Sequence, residues 1–149
     1  MNASRLTDHT GYWMRMVSNA VSQAFARKVA GQDVTVAEWS FMRALYDLEP
    51  VPPSVLAEKM GMTKGAISKL AERLLAKGLV VRTENKDDKR AHSLSLTNEG
   101  RDKIPVLAAL ADENDAEFFD TLTREEHETL NRILKILAER RGLDATPVD

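Results

Sequence analysis

At 149 residues and 43% hydrophobic content the chain is the size of one domain with enough apolar side chains for a core, and its lack of cysteine excludes disulfides, thiolate metal sites, cysteine nucleophiles and thiol redox sensing. The net charge of -2 conceals a division: residues 59–90 hold nine basic and four acidic side chains, a net of +5, while residues 101–149 come to -5. No apolar run approaches the roughly 20 residues of a membrane helix, and MNASRLTDHTGYW lacks the basic-then-apolar layout of a signal peptide, so a cytoplasmic location is expected.

Trp13, Met16, Val17, Ala20, Val21, Ala24 and Phe25 recur at helical spacing and predict a long amphipathic helix over 10–29. Gly31 and Asp33 interrupt it. Thr35 then offers an N-cap oxygen to a second helix carrying Trp39, Met42, Ala44, Leu45 and Leu48, which Pro50, Pro52 and Pro53 stop. Two short helical stretches follow around Gly61. LVVRTE, the polar turn NKDDKR and the alternating SLSLT predict a hairpin. Thr97 can cap the next helix, with Glu99 near its N-terminal dipole and Pro105 expected to kink it. Thr123 and Glu126 form a capping box for a last helix, with Leu130, Ile133, Leu134 and Leu137 on one face and Gly142 at its end.

The segment PSVLAEKMGMTKGAISKLAE has the internal logic of a helix-turn-helix. Ala57 is small where two helices cross, Gly61 can end the first helix in the left-handed conformation, and Thr63 can cap the second. Ile67, Leu70, Ala71, Leu74 and Leu75 form the buried stripe of that second helix. Lys64, Gly65, Ser68, Lys69, Glu72 and Arg73 are left facing outward, where short polar and basic groups can reach base edges or phosphates. An ordinary helical hairpin would show the same stripe. The hairpin that follows at once makes the layout that of a winged helix, whose tip holds Lys86, Lys89 and Arg90 together with Asp87 and Asp88. Arginine suits a narrow minor groove, and Asp88 could hold the Arg90 guanidinium in place.

The run DDKRAHSLSLTNEG resembles the wing signature of MarR-type regulators, with Asp88, Arg90, Leu96, Thr97 and Gly100 matching it. TVAEWSFMRAL, TKGAISKLAERLLAKGLV and the flanking helices also fit, so the resemblance covers nearly the whole chain. It departs at Gly65 and Ala66, where many members carry two hydroxyl residues. The resemblance implies a mainly α fold with a small β-hairpin, made of a winged helix-turn-helix part and a helical dimerisation region. The DNA-binding part would span 34–100, with the helix-turn-helix at 53–76 and the wing at 79–97. Residues 1–33 and 101–149 would form the homodimer. It further implies a ligand-responsive repressor of transcription, binding double-stranded DNA at a pseudo-palindromic operator through Thr63, Lys64, Gly65, Ser68, Lys69, Arg73, Lys86, Asp88, Lys89 and Arg90.

A small aromatic acid is the implied effector. Tyr12, Trp13, Trp39 and Arg43 could line its pocket, since indoles stack on aromatic rings and arginine pairs with carboxylates, although such residues are often core and interface. His9, His92 and His127 are scattered without metal-ligand spacing, and no phosphate loop or nucleophile motif is present, so neither metal, cofactor nor enzymatic activity is expected. The rival readings are a winged-helix module that binds an acidic protein and, more remotely, a small-molecule enzyme.

Overall fold

The computed structural model describes residues 2–84 and 91–144. After a single 3-10 turn at Leu6–Asp8 the elements run α1 (Thr10–Ala30), α2 (Val36–Leu48), α3 (Pro53–Met60), α4 (Lys64–Ala76), β1 (Val80–Glu84), β2 (His92–Leu96), α5 (Asn98–Phe118) and α6 (Arg124–Arg140). The order is the one the periodicity predicts, mainly α with one hairpin.

Threonine starts four of these helices. Thr35, Thr63, Thr97 and Thr123 each accept a bond from the amide three residues on, at Glu38, Ala66, Gly100 and Glu126. Each such cap stabilises its helix by about 1 kcal/mol. Glu38 and Glu126 return the bond to the cap backbone, completing capping boxes at α2 and α6. Gly61 takes φ 62° and closes α3 in the left-handed region, where a side chain would clash. Pro105 lies on the exposed side within an α5 that continues to Phe118.

The core gathers the inner faces of α2, α3 and α4 with the hairpin and the first half of α5. Phe41, Met42 and Leu45 from α2 meet Leu56 from α3, Ile67 and Leu74 from α4, Leu94 from β2 and Leu107 from α5, all fully buried. Removing a side chain of this kind from water is worth about 1.5–3 kcal/mol each. β1 and β2 pair antiparallel with Val80 opposite Leu96 and Glu84 opposite His92. Val51 adds an isolated bridge to Leu94, through bonds of 2.8 and 3.1 Å, and ties the segment before α3 to the hairpin.

α1 lies along α5, where Lys28 pairs with Glu117 at 2.8 Å and the buried Asn114 donates to the Val21 carbonyl at 3.2 Å. α6 contributes no buried residue. Its Ile133, Leu134 and Leu137 remain 51%, 42% and 43% exposed, and Trp13, Met16 and Val17 of α1 are also exposed. No helix among the described residues is long and apolar enough to cross a membrane.

Candidate nucleic-acid interface

α3 and α4 meet around Gly61, Met62 and Thr63, with Met62 N–H bonded to the Ala57 carbonyl at 2.9 Å and Thr63 capping α4. Ile67, Leu70, Ala71 and Leu74 turn inward, and Lys64, Gly65, Ser68, Lys69, Glu72 and Arg73 are all exposed. This is the division the sequence predicts, except that Leu75 is only partly buried. A Cβ at Gly65 would meet nothing within 4 Å, so the protein's own packing gives no reason for glycine there.

Beside this face runs a cleft of about 380 Å3, bordered by Ser54 at the start of α3, Lys64 and Ser68 of α4, and His92 and Ser93 of β2. Its walls carry hydroxyls, an ammonium and an imidazole, groups that donate to phosphate oxygens. Glu72 and Arg82 form a 2.8 Å pair that fastens α4 to β1.

Residues 32–91 match the sequence model of the MarR family. The transcriptional regulator HosA of Escherichia coli is 29% identical over 103 residues, spanning 69% of this chain and 76% of its own. A probable transcriptional regulator from Pseudomonas aeruginosa is 29% identical, covers 89% of this chain and 99% of its own, and superposes with a TM-score of 0.80. A mutant MarR from E. coli complexed with operator DNA is 25% identical and superposes with a TM-score of 0.76, covering 85% of this chain and 91% of its own.

The chain is similar to the MarR family of transcription regulators, in sequence over residues 32–91 and in fold over most of its length. Its winged-helix architecture and this similarity agree with the resemblance in DDKRAHSLSLTNEG.

Within this fold the sequence-predicted DNA-contact residues fall into three groups. Thr63, Lys64, Gly65, Ser68 and Lys69 share the N-terminal half of α4 and its cap. Arg73 is on the same helix, but its guanidinium turns back to α2, 3.3 Å from Thr35 Oγ1 and 3.5 Å from Glu38 Oε1. Lys86, Asp88, Lys89 and Arg90 lie outside the described residues.

The four aromatic-acid candidates occupy α1 and α2, each pair engaged locally. Tyr12 and Trp13 make an edge-on contact with ring centroids 5.2 Å apart, and the Trp13 indole donates to the Thr7 carbonyl. Arg43 pairs with Asp47 at 2.9 Å and sits over the Tyr46 ring, while Trp39 packs partly buried against the core.

Sequence reasoning missed Glu38 and Lys77. Glu38 is fully buried, and burial pushes its carboxyl pKa up. The Thr35 amide, the Lys77 ammonium and the Thr35 hydroxyl reverse that and hold it below its ordinary value, so the group is a carboxylate. Thr35 and Glu38 do have capping-box spacing, the one signal that could have found Glu38. Nothing local marks Lys77 as its partner.

Proposed function

We propose that the chain is a DNA-binding repressor of transcription that works as a homodimer on a pseudo-palindromic operator and is released by a small aromatic acid. The observation that carries DNA binding is the exposed N-terminal half of α4, where Lys64, Gly65, Ser68 and Lys69 stand on a capped, well-seated helix beside the hairpin. Side chains of that kind reach base edges and phosphates, and the operator complex of the MarR relative supports the same assignment. The division into a DNA-binding part at 34–100 and helical flanks for dimerisation agrees with an apolar α6 face that nothing among the described residues covers. Lys86, Asp88, Lys89 and Arg90 are assigned to the wing contact on sequence grounds.

The test is binding to fragments selected from the source genome, measured across a salt series. Affinity should fall steeply with salt, because neutralised phosphates release counterions. A winged-helix module that binds only protein would retain no fragment. The effector reading rests on the family resemblance and on Tyr12, Trp13, Trp39 and Arg43. Benzoate-type acids should quench the fluorescence of Trp13 or Trp39, the only tryptophans, and release bound DNA. Quenching without release would remove the acid from the mechanism.

A further inference from the structure

Besides the Glu72–Arg82 pair to β1, α4 is held in two ways. Along its length Ile67, Leu70, Ala71 and Leu74 seat it on the core, and apolar contact of that sort has little directional preference. At its C-terminal end the attachment is polar and directional. Lys77, the residue that closes α4, donates to Glu38 Oε1 at 3.1 Å and to the Asp33 carbonyl at 2.7 Å. Arg73, one turn earlier, reaches Thr35 Oγ1 and approaches the same carboxylate oxygen. Oε1 also accepts the Thr35 N–H at 2.9 Å, so one buried atom joins the start of α2 to the end of α4.

The other oxygen, Oε2, is buried with no hydrogen-bond partner among the described residues. A buried carboxylate carries a desolvation cost that is repaid only by well-placed partners. A glutamine would have enough oxygen to cap α2. A buried glutamate joined to two cations of α4 makes sense if the orientation of that helix matters.

We propose that Glu38 is a positioning residue for DNA recognition: through Lys77 and Arg73 it fixes the rotation of α4 against α2, so that Lys64, Ser68 and Lys69 meet the groove in one register. The inference rests on the DNA-binding reading above. Glu38 itself touches no DNA. Loosening the clamp therefore degrades base discrimination while leaving phosphate attraction intact.

The experiment compares a duplex selected from the source genome by the wild-type protein with a mixed-sequence duplex of equal length. Affinities are measured at several salt concentrations for wild type, Glu38→Gln, Lys77→Met and the double variant. Glu38→Gln should weaken the selected duplex about tenfold, the scale of one mismatched base pair, and change the mixed-sequence duplex by less than about twofold. The salt slope should stay the same, because no phosphate contact is removed. Lys77→Met alters a partly exposed side chain, keeps the test open if Glu38→Gln does not fold, and should give the same pattern. The double variant should be no weaker than the weaker single one.

A purely structural role would reduce the active fraction and weaken both duplexes equally. That result, or wild-type discrimination in both single variants, overturns the proposal. Wild-type protein that binds neither duplex overturns the DNA-binding reading and the inference together.

Discussion

The α-carbon of Gly100 faces the backbone carbonyl of Leu79 so closely that a Cβ built on it would lie 2.1 Å from the carbonyl oxygen. Both partners are backbone, so neither can swing aside. The contact joins the first turn of α5 to the start of the hairpin, and the Thr97 hydroxyl reinforces it by donating to the Gly78 carbonyl at 2.7 Å. Gly100→Ala should destabilise the fold by about 1–3 kcal/mol or more through overpacking, despite the better helix propensity of alanine. An unchanged urea midpoint would contradict this reading.

Gly65 presents the opposite case. Alanine there meets open space within the protein, so Gly65→Ala should leave stability unchanged or raise it by up to about 1 kcal/mol. If DNA approaches the helix closely, the added methyl should weaken binding. Stability and affinity thus move in opposite directions. Denaturation and anisotropy on the same preparation check both, and an affinity equal to wild type would show that the backbone of Gly65 is not closely approached.

Much of this was legible because the signals are local. Thr35, Thr63, Thr97 and Thr123 sit immediately before apolar periodicities, and Gly61 and Gly142 sit where helices must end. The stripe and outer row of α4 follow from 3.6-residue spacing alone. What stayed hidden depends on distant pairing. Lys77 is thirty-nine positions from Glu38, and a surface lysine after a helix has no distinctive pattern. Val51 lies between the prolines that stop α2, and no local pattern marks its bridge to Leu94 in the hairpin. Arg73 has the periodicity of a groove-facing residue, yet a long side chain can fold back, and here it finds α2. Gly100 belongs to the matched wing signature, but its reason, the Leu79 carbonyl, needs three dimensions.

Lys69 and Arg73 should accordingly differ in their effects. Lys69 stands exposed on the outer row, so Lys69→Ala should reduce the slope of log affinity against log salt by about 0.9 if it meets one phosphate. Arg73 is occupied by Thr35 and Glu38, so Arg73→Ala should weaken selected DNA with little change in that slope. Equal slope changes in the two variants would mean that Arg73 leaves α2 to contact phosphate.

Acid should weaken the Glu38 clamp. The folded pKa of Glu38 lies below its ordinary 4.5, because bonds from Thr35 and Lys77 outweigh the effect of burial. A depressed carboxyl contributes stability that is present above the unfolded value and is lost as pH falls through the folded one. The charged groups facing it are Lys77 and Arg73, and Asp33 lies 3.8 Å from Lys77. The stability advantage of wild type over Glu38→Gln should therefore be greater at pH 7 than below about pH 4.5. Urea titrations at the two pH values measure it, and a difference independent of pH would show that the charge of Glu38 makes no contribution.

α6 makes the sharpest case for assembly, because it is capped, amphipathic and apolar on a face that nothing among the described residues covers. Ile133, Leu134 and Leu137 are each at least 42% exposed, with the exposed Trp13, Met16 and Val17 of α1 as a second apolar surface. A stable homodimer buries such faces in an extensive interface, commonly above about 2,000 Å2 in total. Leu134→Asp would place a carboxylate in that interface. Because α6 supplies no buried residue to the core, the winged-helix part should stay folded in this variant. Sedimentation at micromolar concentration should find a dimer for wild type and a monomer for Leu134→Asp. Affinity for a two-half-site duplex should collapse with dissociation, since each monomer reaches only one half-site. A dimer that survives Leu134→Asp would move the interface off this face, and a monomeric wild type would sink the dimer altogether.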